Sequence, residues 1–398
     1  MKTLFLHIGT PKTATTAIQS FCGANQEILN SHGYAYPDLG VRYPYIRWQR
    51  NAHFLIGDLR SKERNLKKEE QLVAKCFQKI YELFEQYDNI ILSDEGLWLE
   101  GINHREKIWK RIKTEVDKGI FSVKVIVYLR RQDEFIYSRW NQQIKSATGV
   151  VSPIFVMKWE EMLESLSPSK TDYYGVLKKI EQYVGKENII VRQFDREKFY
   201  GGTIYADFLN IVGLAYSDEY TIVKEKANIS LTKNNLEIKR ILNEMSDLDE
   251  PSNKVLRSCL SKCSELPSDD KKYSMFSEQE MREFLSKCEE GNNKIVEEYL
   301  NGEKKLFDDE YKAEEKWNPA NPTMMEDVVK LSGSVAIYLL KENEKLKHQL
   351  EELKGQLKEQ NYVTGAQEND TGLWKDKLKH PLDKVESKMR RILTQKET

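Results

Sequence analysis

The sequence predicts an α/β protein built on a mostly parallel sheet, with a helical appendage and a C-terminal coiled coil. Three observations predict it. Four short runs rich in β-branched residues, 3–8, 89–93, 123–129 and 188–194, stand apart, and the last three each follow a long, charged, helix-like stretch. Strands alternating with helices at such spacing form βαβ units. The runs show little polar alternation, as in strands buried on both faces of a parallel sheet. Gly (20) and Pro (10) are sparse for 398 residues, which argues against collagen, a disordered chain and a turn-rich all-β fold.

Composition narrows the class. Hydrophobic residues make up 39% and charged residues 31%, enough for a core in two or three units or in one large α/β domain with attachments. Lys plus Arg (62) against Asp plus Glu (63) leaves a formal charge of -1. A chain-wide nucleic-acid footprint would need a strong basic excess, so no nucleic acid is expected. Cys22, Cys76, Cys259, Cys263 and Cys288 are scattered and odd in number, which is no disulfide framework and fits a reducing compartment. Cys259, Cys263 and Cys288 lack a fourth ligand at usable spacing and read as packing, not as a metal site. No apolar run approaches the roughly 20 residues of a bilayer span, and the apolar stretch at 4–8 is too short for a signal peptide. The expectation is a soluble, cytoplasmic protein.

Taken in order, residues 1–230 hold all four strand-like runs and form the α/β core. Residues 231–320 turn polar and helical in period, a helical subdomain closed by Trp317-Asn-Pro-Ala-Asn-Pro322. Asn-Pro steps disfavour helix, so this break reads as a hinge or linker. Over 321–360, Leu339, Asn343, Leu346, Leu350, Leu353 and Leu357 fall at alternating steps of four and three. This is a heptad seam with one polar core position, the arrangement of a register-fixed parallel dimer. The residues allow either a homodimer through 339–357 or one amphipathic helix docked on its own domain. Within 361–398, residues 361–372 read as a spacer. Residues 373–398 carry a net charge of +4 and place Leu378, Leu382, Val385 and Met389 near one helical face, interrupted by Pro381. Such a helix either lies on an anionic membrane surface or packs as an ordinary terminal helix.

The strongest chemical signal runs from Leu4 to Gln19. A buried strand leads into a loop with Pro11, Lys12, Thr13, Ala14, Thr15 and Thr16, then into a helix. Such a loop offers backbone N–H groups, hydroxyls and the positive end of a helix dipole to an anion, and Lys12 adds a full charge. It is not the nucleotide triphosphatase loop, which needs Gly immediately before Lys; here Lys12 comes three residues after Gly9. A second strand, ending at Leu129, opens through Arg130 and Arg131 into a helix that carries Ser138. Ligands of open α/β sheets gather at such carboxyl ends of strands.

Together the two segments resemble the family of sulfotransferases that use 3′-phosphoadenosine 5′-phosphosulfate (PAPS). The first resembles their 5′-phosphosulfate loop, P-K-[TS]-G-[TS]-[TS]. The second resembles their 3′-phosphate element, an Arg followed eight residues later by a Ser. The form R-R-Q-D-E-F, followed closely by N-Q, looks most like bacterial members that sulfate carbohydrates. Ala14 departs from the pattern, standing where the family has Gly; an alanine asks for ordinary backbone angles and adds a methyl beside the phosphate.

The resemblance covers about residues 1–230 and implies a P-loop NTPase-like parallel sheet flanked by helices. It implies PAPS as donor, no metal, and O-sulfation of a glycan or glycolipid of the capsular or surface polysaccharide type. Pro11, Lys12, Thr13, Ala14, Thr15 and Thr16 would form the phosphosulfate loop, with Lys12 also helping the bridging oxygen leave. Arg130 and Ser138 would hold the 3′-phosphate. Two candidates for the base follow. His53 lies in a stretch resembling the histidine segment of the bacterial members, and Glu95 in a Ser-x-Glu element of the same relatives. By residue type alone, His53 also suits a half-buried structural role and Glu95 a helix N-terminal carboxylate. Arg47, Trp48 and Arg50, with Arg42, Tyr43, Tyr45 and Arg60, suit a sugar acceptor bearing carboxylates or sulfates. The same composition suits RNA or a surface loop. The rival readings are a nucleotide-dependent phosphotransferase and a non-catalytic scaffold on the same fold, the latter favoured by Ala14.

Overall fold

The computed structural model describes residues 2–57, 65–99, 102–147, 152–223, 230–267, 272–308 and 314–367. Strands β1 (Thr3–His7), β2 (Tyr34–Ala35), β3 (Asn89–Ser93), β4 (Ser122–Leu129) and β5 (Ile189–Gln193) form one sheet in the order β2-β3-β1-β4-β5. Every neighbouring pair is parallel. β1 is central, with Phe5 opposite Ile91 on one side and Lys124 on the other. Four strands match the expected runs to within one residue at each end; β2 has only two residues and leaves no run to find.

The connections are helical. α1 (Thr15–Ala24) and α2 (Gln26–Ser31) join β1 to β2, and α3 (Leu66–Phe84) leads to β3. α4 (Gly96–Leu99) and α5 (Ile102–Val116) precede β4; α6 (Gln132–Ser146), α7 (Trp159–Glu164) and α8 (Tyr173–Val184) precede β5; α9 (Ile204–Val212) follows it. Side chains alternate across a strand. Phe5, Ile91, Ile126 and Tyr128 pack with Ile18, Phe21 and Cys22 of α1 and Phe208, Leu209 and Val212 of α9. The alternate residues Leu4, Leu6, Ile90, Leu92, Val125 and Val127 are equally buried, so the sheet is covered on both faces. Each such apolar side chain contributes about 1.5–3 kcal/mol. α9 shows how sequence sets its ends: Thr203 Oγ1 accepts the Ala206 N–H at 3.1 Å, and Gly213, at φ 89°, closes it.

Residues 231–320 are helical as expected, with α10 (Lys233–Leu242), α11 (Glu250–Glu265) and α12 (Glu278–Tyr299). A two-residue parallel pair, β6 (Tyr273–Ser274) with β7 (Glu315–Lys316), adds an unforeseen strand contact. The break at 317–322, expected as a hinge or linker, is tied to α10 by hydrogen bonds. Asn234 Oδ1 accepts from Trp317 Nε1 and Asn321 Nδ2 at 2.8 Å each, and its amide donates to Asp327 at 2.9 Å. α13 (Met324–Gln367) is one continuous helix that runs past the start of the expected spacer. The basic stretch 373–398 lies outside the described residues.

The chain divides into two compact units, Met1–Leu331 and Ser332–Thr398. The helices of 231–320 belong to the first. All five cysteines are free thiols and buried. Among the described residues, no helix is long and apolar enough to cross a membrane.

Candidate active site

The candidate residues come from segments leaving the carboxyl ends of β1, β2, β3 and β4. After β1 the chain keeps to the sheet briefly: the Ile8 N–H donates to Ile126 O at 3.0 Å and the Thr10 N–H to Tyr128 O at 3.2 Å. Gly9, Lys12 and Ala14 then take positive φ angles of 41°, 71° and 55°. Gly9 admits no side chain, because a Cβ there would lie 2.5 Å from Thr15 Cγ2. Ala14, at ψ 23°, is left-handed. The expectation that alanine would impose ordinary angles is therefore wrong: the loop overrides its preference, at about 1–2 kcal/mol.

The loop's threonines form its frame. Thr13 Oγ1 donates to Thr10 O at 2.6 Å, and Thr10 Oγ1 donates to Tyr128 O at 3.0 Å; both side chains are buried. Thr15 is buried, Thr16 exposed and Pro11 half-buried. No side chain caps α1 at Ala14. An uncapped first turn presents N–H donors and positive helix potential together.

Positive side chains converge on this turn. Arg130 Nη1 donates to the Lys12 carbonyl oxygen at 3.5 Å, while its Nε pairs with Glu134 at 2.8 Å. The guanidinium lies 6.0 Å from the Phe194 ring centre, and Tyr173 Oη donates to Arg130 O at 2.9 Å. Lys12 Nζ donates to Gln142 Oε1 at 3.5 Å. Burial, and then the charge of Arg130, lower the Lys12 pKa. Lys145 is pushed down to about 8 by burial, then by the charges of Arg257 and Lys12. Like charges held this close are relieved by an anion. Ser138 is buried one turn before Gln142 on α6, on the helix face that meets Lys12. Beside Arg130, at the ends of β4 and β5, opens a cavity of about 360 Å³ lined by Phe194, Arg196, Lys198 and Phe307.

The second focus lies after β3. Asp94 N–H donates to His7 O at 3.0 Å, which carries the β1–β3 ladder one rung further and buries the Asp94 side chain completely. Its carboxylate accepts from Arg50 Nη2 (2.6 Å), Arg50 Nε (3.1 Å), the Gly96 N–H (2.7 Å) and His53 Nδ1 (2.8 Å). Burial works against ionisation, but the His53 hydrogen bond and the Arg50 charge outweigh it and hold the carboxyl below its usual range. An ionised carboxylate only accepts, so His53 Nδ1 carries a proton toward Asp94, and in the neutral ring Nε2 is the nitrogen with the lone pair. The His53 ring stands edge-on to Tyr43, 4.9 Å between centres, and its side chain is 12% exposed.

Glu95 is engaged differently. It accepts from Gln19 Nε2 at 2.9 Å and pairs with Arg50 Nη1 at 3.4 Å. Gln19 Nε2 also donates to Ser93 Oγ at 3.2 Å, and Ser93 Oγ meets His7 Nδ1 at 2.9 Å. Burial pushes His7 down to about 3, so it is neutral. Of the residues expected to meet an acceptor, Arg50 pairs with Asp94 and Glu95. Trp48 lies 6.4 Å from Tyr36 and closes on Gly23 of α1. Arg47 is exposed and lines, with Tyr43, Arg50 and His53, a cavity of about 20 Å³.

Comparison with known proteins adds one relative. The chain is 27% identical over 232 residues to an uncharacterized protein of Archaeoglobus fulgidus, covering 55% of each. The chain thus spans about half the length of the curated relative it matches. No family model matches, and no solved structure matches.

Asp94 and Gln19 escaped the sequence reading. Asp94 had one available signal: it directly precedes Glu95 at the end of a buried strand, where a carboxylate needs a partner.

Proposed function

We propose that the protein is a PAPS-dependent O-sulfotransferase acting on a hydroxyl of a glycan or glycolipid, built on a P-loop-like sheet. The observation that carries this reading is the pairing of two cations, Lys12 and Arg130, at an uncapped helix start, one strand away from the strand end where Asp94 holds His53 by its Nδ1. A donor with two separated anionic groups and a neutral acceptor needs both halves.

The donor fits the residues present. Lys12 and the first N–H groups of α1 would take the 5′-phosphosulfate, and Arg130 with Ser138 the 3′-phosphate. Phe194 and Phe307 offer apolar surface to a base in the neighbouring cavity. In the transfer, an acceptor hydroxyl oxygen bonds to sulfur as the bond from sulfur to the bridging oxygen breaks. The hydroxyl proton passes to His53 Nε2, and the electron pair of the broken bond stays on the bridging oxygen, beside Lys12. Asp94 stabilises the imidazolium that results, as in other carboxylate–histidine pairs. Glu95, already satisfied by Gln19 and Arg50, keeps Arg50 in place.

Calorimetry tests the reading. Binding of 3′-phosphoadenosine 5′-phosphate at least ten-fold tighter than ADP supports it. Preference for ATP would favour a phosphotransferase, and no nucleotide binding would favour a scaffold; either overturns it.

A further inference from the structure

We propose that the exposed seam of α13 is a parallel, in-register coiled coil between two copies of this chain, an inference independent of the sulfotransferase reading. α13 is continuous over 44 residues. Within it Leu339, Leu346 and Leu353 take heptad position d, while Asn343, Leu350 and Leu357 take position a. These leucines are between 40% and 58% exposed. A leucine stripe on one helix face, left in water over this length, is an unfinished core.

The flanking charges choose the occupant and its direction. Position g holds Glu342, Gln349 and Gln356; position e holds Leu340, Lys347 and Lys354. In a parallel pair each g residue meets the e residue five positions on in the other copy, so Glu342 meets Lys347 and Gln349 meets Lys354. In an antiparallel pair e faces e, which sets lysine against lysine. The pattern therefore attracts in one orientation and repels in the other. Asn343 adds register. Only when both helices align in parallel does its amide meet its own copy; in any shifted register it is buried against leucine with its hydrogen bonds unmade.

The test uses the full chain. Sedimentation equilibrium at micromolar concentration should give twice the monomer mass, and Leu350→Lys with Leu353→Lys should restore the monomer while leaving the circular dichroism of the first unit unchanged. Asn343→Cys should crosslink to its own copy under mild oxidation, whereas Glu342→Cys, off the axis, should crosslink poorly. A monomeric wild type overturns the proposal. A dimer in which Asn343→Cys does not crosslink overturns the parallel register.

Discussion

Gln19 and Glu95 are joined by a single hydrogen bond of 2.9 Å from the amide of α1 to the carboxylate that follows β3. The same amide nitrogen reaches Ser93 Oγ. The helix that begins at the Lys12 loop is therefore tied to the strand end that carries Asp94, and the two halves of the candidate site share one frame. Gln19→Leu should break that tie. We expect nucleotide binding to change less than three-fold and kcat to fall by about ten-fold, equivalent to ~1.4 kcal/mol of lost positioning. Equal losses in both would mean that Gln19 only supports the fold.

Lys12→Ala is expected to abolish transfer while leaving the melting transition intact. Its charge matters most when the bridging oxygen becomes anionic. A variant that keeps more than about a tenth of wild-type kcat would remove the ~1.4 kcal/mol or greater role assigned to Lys12.

Arg130→Ala should weaken 3′-phosphoadenosine 5′-phosphate by ten-fold or more and its analogue lacking the 3′-phosphate far less. Charge-assisted hydrogen bonds contribute roughly 1.5–3 kcal/mol each. Titration calorimetry with both ligands decides it, since equal weakening makes Arg130 structural.

Asp94 predicts an acid-sensitive fold. Its folded pKa lies below the unfolded value, so its ionised form contributes stability that is complete above about pH 4 and is lost as the pH falls through the lowered folded value. Denaturant midpoints of the wild type should drop more steeply between pH 5 and pH 3 than those of Asp94→Asn. At neutral pH the variant should lose about 1.5–3 kcal/mol, because Arg50 and His53 lose a charged acceptor while Arg50 keeps Glu95. Parallel pH profiles would show that the carboxyl is not held ionised.

Ala14→Gly should stabilise the protein by up to ~1 kcal/mol, because glycine enters the left-handed region freely. A thermal melt compares the two; a lower midpoint would mean that the alanine methyl packs usefully within the loop.

Much of the frame was legible because it is local. β1, β3, β4 and β5 are apolar runs whose character shows in the residues themselves, and the loop after β1 concentrates Lys12 with Thr13, Thr15 and Thr16 in one stretch. The pairing of His53 with Asp94 joins segments 41 residues apart, and no spacing rule connects them. The pairing of Arg50 with Asp94 was hidden for the same reason, since 44 residues separate them. Ala14 failed in the opposite direction, since a local preference was read correctly and the surrounding loop overruled it. β2, with two residues, has too little chain to carry a pattern.

The burial of all five thiols turns the cysteines into built-in clocks. Cys22, in α1, has its pKa raised by burial, as do Cys76 in α3 and Cys288 in α12, the latter two to about 11. A thiol that is both shielded and protonated does not meet an alkylating reagent until its surroundings open. Each labelling rate then reports the opening of one region: Cys22 and Cys76 for the sheet-covering helices, Cys259 and Cys263 for α11, Cys288 for α12. Mass spectrometry of partly alkylated protein would read, from native residues alone, the order in which the molecule comes apart.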